Sequence, residues 1–272
     1  MRYLKFIPPF TIAVVLLISC STEMRLANNL QRHKNQIHVL CSFPEQIILS
    51  NSKVPFPESL EKEEESDFYD SIYYHSDYVQ YIDDTIFLRK FRAATEKYFE
   101  SIGFSYHKVE DLNEFLMSNG TKYLISFKQL ELEERWTSYH DEEVIGNTLY
   151  EEDFWVNGIS LNAWMDVAKV NDTVEIQRQT YQESILQDNV EGMFFQNQWN
   201  GEVHYQYRID TLRVRDIGDL QTRSAHDFGY FIINFIINKE ISDHLNYLEG
   251  LKPQNTWYYS PNSGRLIPEP NY

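Results

Sequence analysis

The sequence predicts an α+β protein in which a mixed sheet carries helices mainly on one face, with a β-hairpin and a long C-terminal helix. Short apolar runs and helical patterns alternate along the first half of the chain. Two strand-like segments meet at Asn171-Asp172, a dipeptide that tolerates the positive φ of a tight hairpin. The chain has 272 residues, 42% of them hydrophobic, which suffices for one domain with a substantial core.

The first predicted strand covers residues 36–41 and ends before Pro44, which cannot donate to a sheet ladder. A helix is predicted over 83–102, because apolar residues recur every three or four positions, Asp83 suits the N-cap and Gly103 follows. The remaining predictions are strands at 104–109, 123–133, 154–170, 173–184 and 203–209, and helices at 111–119 and 217–245.

Composition and residue patterns also predict how the chain is divided. The predicted units are a signal peptide at 1–19, a tether at 20–35, a single α/β domain at 36–249 with an acidic, tyrosine-rich insertion near 44–80, and an extended proline-containing tail at 250–272.

The first twenty residues indicate export and lipidation. A basic start, an apolar run to Ile18 and the small residue Ser19 are the parts of a secretory signal peptide, and the run is too short to span a bilayer. Leu17-Ile18-Ser19-Cys20 resembles the bacterial lipobox. That resemblance implies cleavage between Ser19 and Cys20 and acylation of Cys20 with diacylglycerol and a further chain such as palmitate. The alternatives are an ordinary signal peptide with an incidental cysteine, or a buried N-terminal helix.

The lipobox resemblance also implies a location. Ser21 stands where an aspartate implies inner-membrane retention in enteric lipoproteins, so the outer membrane is favoured and the facing side stays open. Once Cys20 is acylated, Cys41 has no partner within the chain. A buried, unreactive thiol is favoured over a reactive one, because Cys41 lies in an apolar strand.

Two further resemblances concern location and fold. With the lipobox, Leu40-Cys41-Ser42-Phe43-Pro44 and residues 129–134 resemble a group of Gram-negative lipoproteins without an assigned activity. Residues 103–132 resemble, in arrangement, the small α/β domain of the curli-secretion pore lipoprotein and of the periplasmic translocation protein TolB. Neither resemblance implies a reaction.

The charge balance and the missing motifs exclude several function classes. A net charge of −17 argues against binding nucleic-acid phosphates and against electrostatic docking on anionic lipids. The sequence has no glycine-rich phosphate loop, nucleophile elbow, zinc helix or EF-hand spacing. We therefore predict no catalytic residue, metal or cofactor.

Two clusters of residues are candidate binding sites. Acidic residues at 141–143 and 151–153 flank Gly146 and suit either a weak Ca²⁺ site or, the favoured interpretation, a solvated loop. Trp136 and Trp155 are candidate ligand-binding residues, because aromatic rings form platforms for sugars and partner proteins, although their strand-like context also suits a core.

Three functions remain open from the sequence. The favoured one is a non-enzymatic envelope lipoprotein, held in the membrane by Cys20, that binds another envelope protein or its own copies. The second is a glycan- or peptide-binding lipoprotein using surface tryptophans and tyrosines. The third is a glycan hydrolase with carboxylates that the sequence does not identify.

Overall fold

The computed structural model describes residues 22–53 and 78–271. The predicted signal peptide, Cys20 and most of the predicted insertion near 44–80 lie outside the described residues.

The described residues contain ten strands and four α-helices. The strands are β1 (Ile37–Ser42), β2 (Ile48–Asn51), β3 (Ser105–His107), β4 (Thr121–Ile145), β5 (Thr148–Val170), β6 (Val174–Gln187), β7 (Asn189–Gln196), β8 (Val203–Asp210), β9 (Asn255–Ser260) and β10 (Arg265–Pro270). The helices are α1 (22–32), α2 (Asp84–Ile102), α3 (Leu112–Met117) and α4 (Ile217–Glu249).

The central sheet is mixed, as predicted. Its strand order is β3-β1-β4-β5-β6, with β2 paired to β4 beyond the end of β1. β1 runs parallel to β3 and β4, whereas β4, β5 and β6 form an antiparallel meander. The predicted α+β class is therefore confirmed.

The main core lies between one face of this sheet and helices α2 and α4. Tyr123 and Phe127 on β4 face the core, and a bulge after Phe127 shifts the alternation so that Leu130 faces it too. Phe91 of α2 and Phe228 of α4 pack against this face, and their rings lie 6.1 Å apart. The opposite face carries a smaller cluster beneath α3.

The predicted ends of α2 are confirmed. Asp83 caps the helix by accepting a hydrogen bond from the backbone of Ile86 at 2.8 Å. Gly103 ends it in the left-handed conformation at φ 95°. The helix approaches α4 closely at Gly229, where a Cβ would lie 2.3 Å from a ring carbon of Tyr98. A glycine is thus required there by packing.

Strands β4 and β5 form one long hairpin that turns at Gly146. β4 begins two residues before the predicted start at residue 123 and continues well beyond the predicted end at residue 133. The β7–β8 hairpin packs on its far part, where the Tyr205 hydroxyl donates to Asp141 at 2.7 Å. Neither β7 nor β2 was predicted.

Two predicted extended segments are corrected by the structure. The predicted tether at 20–35 instead contains α1, whose Glu23 and Ala27 are buried. The predicted tail at 250–272 instead contains the β9–β10 hairpin, and Trp257 of β9 is fully buried. Both segments add to the main core, because buried apolar side chains fix them there.

Among the described residues, no helix combines the length and the apolarity that crossing a membrane requires.

Candidate functional site

A buried polar cluster lies where the β4–β5 hairpin leaves the sheet. We call Lys53, Glu134, Asn157 and Asp188 the buried junction, and each is at most 3% exposed. Glu134 lies on the core face of β4, two residues beyond the buried Leu132, and Asn157 lies on the same face of β5. The strand alternation that buries leucines therefore also buries this acid.

Hydrogen bonds satisfy both carboxylates of the buried junction. Glu134 Oε1 accepts from Lys53 Nζ at 2.6 Å, and its Oε2 accepts from the backbone of Tyr78 and Val79 at 2.8 and 3.1 Å. Asp188 Oδ2 accepts from the backbone and the side chain of Asn157 at 2.9 and 2.8 Å. Burying a carboxylate is costly unless it is bonded in this way.

The two candidate tryptophans share one face of the β4–β5 hairpin. Trp136 pairs with Asn157 and Trp155 pairs with Ser138, so the tryptophans are diagonal neighbours beside the buried junction. The Trp136 indole N–H donates to the carbonyl of Lys53 at 3.1 Å. Both side chains are half-buried. Their assignment as ligand-binding residues remains a prediction.

An open groove runs between α4, β6 and the β9–β10 hairpin. We call it the α4 groove, and its volume is about 650 Å³. Its surface is lined by aromatic, amide and charged side chains. They are Arg178, Gln182, Asp227, Tyr230, Phe231, Asn234, Phe235, Asn238, Ser242, Pro253, Asn255, Thr256, Tyr258 and Asn271.

The two strands that border the α4 groove, β6 and β9, differ in the hydrogen-bond partners of their backbone N–H and C=O groups. Asn238 of α4 accepts from the Trp257 N–H and donates to the Trp257 carbonyl, both at 2.8 Å. Asn234 accepts from the Tyr259 N–H at 2.8 Å. The helix thus occupies the edge of β9. By contrast, β6 is the last strand of the central sheet within the described residues.

The predicted acidic cluster lies at the far end of the β4–β5 hairpin. His140 and Glu142 on β4 and Glu151 on β5 bring one ligand atom each within 4.8 Å of one another, and all three are exposed. His140 also contacts Asp153 at 2.8 Å, and this hydrogen bond raises the pKa of the imidazole. Cross-strand pairing accounts for the arrangement, so the cluster lies on the paired strands β4 and β5 and not in the predicted loop.

Two histidines that are far apart in sequence meet on neighbouring strands. His38 Nδ1 lies 2.9 Å from His107 Nε2, and His38 Nε2 donates to the Asn119 carbonyl at 2.9 Å. In neutral His38 the proton is therefore on Nε2, and Nδ1 accepts a hydrogen bond from the Nε2–H group of His107. Burial, followed by the charges of His107 and Lys122, lowers the pKa of His38 despite the bond to Asn119. Sequence spacing showed no such pair, although both residues lie in predicted strands.

The free thiol of Cys41 is buried on β1. Burial raises its pKa, and a hydrogen bond with Tyr106 opposes this only in part. The thiol therefore has the buried environment that the sequence predicted, and its low reactivity remains a prediction.

A second ionic cluster joins α4 to the sheet. Glu240 accepts from the hydroxyl of Tyr123 at 2.6 Å and from Lys169 at 2.5 Å. Burial lowers the pKa of Lys169, but its hydrogen bond and charge interaction with Glu240, supported by Asp243, raise the pKa overall. The cluster borders a cavity of about 420 Å³. The ion pair between Lys169 and Glu240 links the central sheet to helix α4, so we interpret the cluster as structural.

A scan against protein-family models finds no match, and a search of curated proteins finds none either.

Proposed function

We propose that this protein is a lipid-anchored, non-enzymatic component of the bacterial cell envelope that binds an extended segment of another envelope protein along β6. The outer membrane is the favoured location. Partner binding is supported by the edge of β6 beside the α4 groove, where no further strand pairs with β6 among the residues that the structure describes.

The anchor would hold the folded body close to the membrane. Helix α1 is described from residue 22, two positions after Cys20, and its Glu23 is locked to the C-terminal hairpin. One acyl chain gives only marginal membrane binding, whereas two or three hold a protein firmly. Acylation of Cys20 would therefore place the body, rather than a long tether, beside the lipid.

The edge of β6 supports binding by strand addition. An edge strand presents unpaired backbone N–H and C=O groups, and an extended peptide can satisfy them. β6 is 14 residues long. Since Asn234 and Asn238 already occupy the facing edge of β9, an added strand would pair with β6 alone.

The side chains of the α4 groove define the chemistry of the segment. The side chain of Arg178 makes no ion pair or hydrogen bond with any residue that the structure describes, and it lines the groove beside Phe231 and Phe235. We expect a segment in which apolar side chains alternate with at least one carboxylate, which would pair with Arg178.

Site-specific photo-crosslinking in intact cells tests this proposal. A photoreactive amino acid replaces Gln182 in the groove, and a matched control replaces Trp199, which is 98% exposed at the β7–β8 turn. We expect one envelope protein to be captured at residue 182, through an extended segment, and not at residue 199.

A charge reversal sharpens the same experiment. Arg178→Glu should reduce capture at residue 182 at least about fivefold, the effect of roughly 1 kcal/mol, whereas the exposed Arg208→Glu on β8 should not. Crosslinks confined to a second copy, or to another part of the same chain, would contradict the proposal, as would equal capture in both variants.

Glycan binding is the second candidate function, and one exposed pair of aromatic side chains favours it. Trp164 and Tyr181 lie on the sheet face opposite α4, 37% and 46% exposed, with ring centroids 5.1 Å apart. The Tyr181 hydroxyl donates to Asn162 at 3.0 Å, which fixes its ring. A glycan array with wild-type protein and Trp164→Ala tests this role. Binding lost in the variant supports it, and no binding by wild type removes it.

A further inference from the structure

Lys53 contacts two other side chains of the buried junction, Glu134 and Asn157. The amine of Lys53 lies 2.6 Å from Glu134 Oε1 and 2.7 Å from Asn157 Oδ1. The three residues are 3%, 0% and 0% exposed. Because a carbonyl bond is about 1.23 Å long, Nζ lies within about 4 Å of Cγ of Asn157. Reacting atoms are productively placed at about 3–3.5 Å, so only a small displacement separates this geometry from attack.

The surrounding groups hold these reactants in place. Asp188 Oδ2 accepts from Nδ2 of Asn157 at 2.8 Å, which orients the amide with its oxygen toward the lysine. Backbone N–H groups of Tyr78 and Val79 hold the other oxygen of Glu134. The rings of Tyr78 and Trp136 lie 5.5 and 5.3 Å from the lysine nitrogen and exclude water from it.

We propose that the side chains of Lys53 and Asn157 become joined by an isopeptide bond, with Glu134 as the proton acceptor and ammonia as the leaving group. The bond forms between Nζ of Lys53 and Cγ of Asn157, and the bond between Cγ and Nδ2 breaks. No oxidant, metal or cofactor is consumed.

The protons and electrons balance within these three residues. Glu134 Oε1 takes one proton from the ammonium of Lys53 and leaves a neutral amine. The nitrogen lone pair attacks Cγ while the carbonyl electrons move to Oδ1. A proton then passes from Nζ to Nδ2, the electrons on Oδ1 return, and the bond to Nδ2 breaks with its electron pair on nitrogen. The departing ammonia takes the proton from Glu134, so an ammonium ion leaves and the carboxylate is restored.

The environment favours this reaction over the unreacted pair. An ammonium buried beside a carboxylate loses its hydration, which is costly even when it is paired. Amide formation removes the buried cation and releases ammonium to water, while the restored Glu134 carboxylate keeps the backbone N–H groups of Tyr78 and Val79 as donors. The product would clamp the end of β2 to β5, at the point where the β4–β5 hairpin leaves the sheet.

Peptide mapping of the full-length protein, extracted from membranes in detergent, tests the bond directly. Trypsin cannot cleave after an acylated lysine. We therefore expect residues 35–62 joined to residues 136–169, with a mass lower by one ammonia than the sum of the two peptides. Separate peptides 35–53 and 136–169 at unmodified masses in wild type would overturn the proposal, and this result needs no variant to fold.

Three variants assign the roles. Lys53→Arg should yield no joined peptide, and Glu134→Gln should reduce the joined fraction at least about tenfold, since it removes the general base. The matched control is Asn162→Ala, a nearly buried asparagine on the opposite face of β5, which should stay fully joined. An undiminished joined fraction in Glu134→Gln would overturn the role of that carboxylate.

Discussion

Glu23 shows how one side chain joins the two ends of the described chain. It is 1% exposed, and it accepts from the Trp257 indole at 2.7 Å and from the backbone of Gln254 and Asn255 at 3.0 and 3.1 Å. A buried carboxylate is retained at low cost when several N–H groups bond to it. This one residue therefore holds α1 against the C-terminal hairpin.

We expect Glu23→Gln to lower the free energy of unfolding by about 1–3 kcal/mol, because the new amide N–H₂ must face a buried donor. Chemical denaturation monitored by tryptophan fluorescence measures the change. Glu45→Gln, at an exposed position, is the matched control and should stay within about 0.5 kcal/mol of wild type. Equal stability of the two variants would contradict the assignment.

The His38–His107 contact predicts a stability that falls as the pH falls. The pKa of His38 is lowered in the folded state, so the unfolded state binds more protons below the ordinary histidine value of about 6.5. Linkage then requires stability to decrease as the pH drops from about 7 through 6.5, and this contribution ends once the pH passes below the folded pKa.

Urea unfolding at a series of pH values between about 5 and 8 measures this dependence. His38→Gln should show a shallower loss of stability toward acid than wild type does. The exposed His244→Gln should keep the wild-type slope. A steeper loss in His38→Gln would show that the sign is wrong.

Among the elements, the C-terminal hairpin depends on an amide ladder from α4. Asn234 and Asn238 lie one helical turn apart and bond to alternate residues of β9, as a neighbouring strand would. β9 thus has β10 on one side and helix amides on the other. Such capping also protects a strand edge from pairing with other chains.

Asn238→Ala should loosen this hairpin without unfolding the sheet. The variant leaves the N–H and C=O of Trp257 without their partner, at a cost of about 1–3 kcal/mol. Limited proteolysis should then cut within residues 250–271 at least about fivefold faster than in wild type. Asn246→Ala, at an exposed position of α4, should be cut at the wild-type rate. If both variants are cut alike, the ladder is not what holds the hairpin.

Elements with strong local signals could be predicted from the sequence. The period of α2, its Asp83 cap and Gly103 are all local, and so is the turn at Asn171-Asp172, although neither turn residue has the expected positive φ. The proline-rich C-terminal segment instead predicted an extended tail. Pro268 and Pro270 lie on the edge strand β10, where a missing N–H is tolerated. Pairing between β9 and β10 and contacts with helices α1 and α4 hold that segment in place.

The candidate sites depended on contacts that spacing does not reveal. Lys53 and Glu134 are 81 positions apart and Lys53 and Asn157 are 104 apart, so the buried junction exists only once β2, β4 and β5 are aligned. Glu134 follows Glu131 and Glu133 in the sequence, and three acids so close together favour a solvated strand face when the sequence is considered alone. The bulge after Phe127 places Glu134 on the core face. No residue type in this segment predicts that bulge.

For the whole molecule, the proposed anchor must act through lipid rather than charge. The chain carries 41 acidic and 24 basic residues, so an anionic bilayer repels it. Firm attachment therefore requires buried acyl chains, each CH₂ contributing about 0.8 kcal/mol. Since α1 is fixed to the body, the same chains would also limit how the body turns relative to the membrane.

The two cysteines of the chain provide a matched test of that anchor. Cys20→Ala should abolish labelling with radioactive palmitate and move the protein from the membrane pellet to the soluble fraction, because the remaining apolar segment is too short to span a bilayer. Cys41→Ala should keep both the label and the membrane location, since its thiol is buried in the core. A Cys20→Ala protein that still labels and still pellets would show that neither the lipobox nor this acylation holds the protein in the envelope.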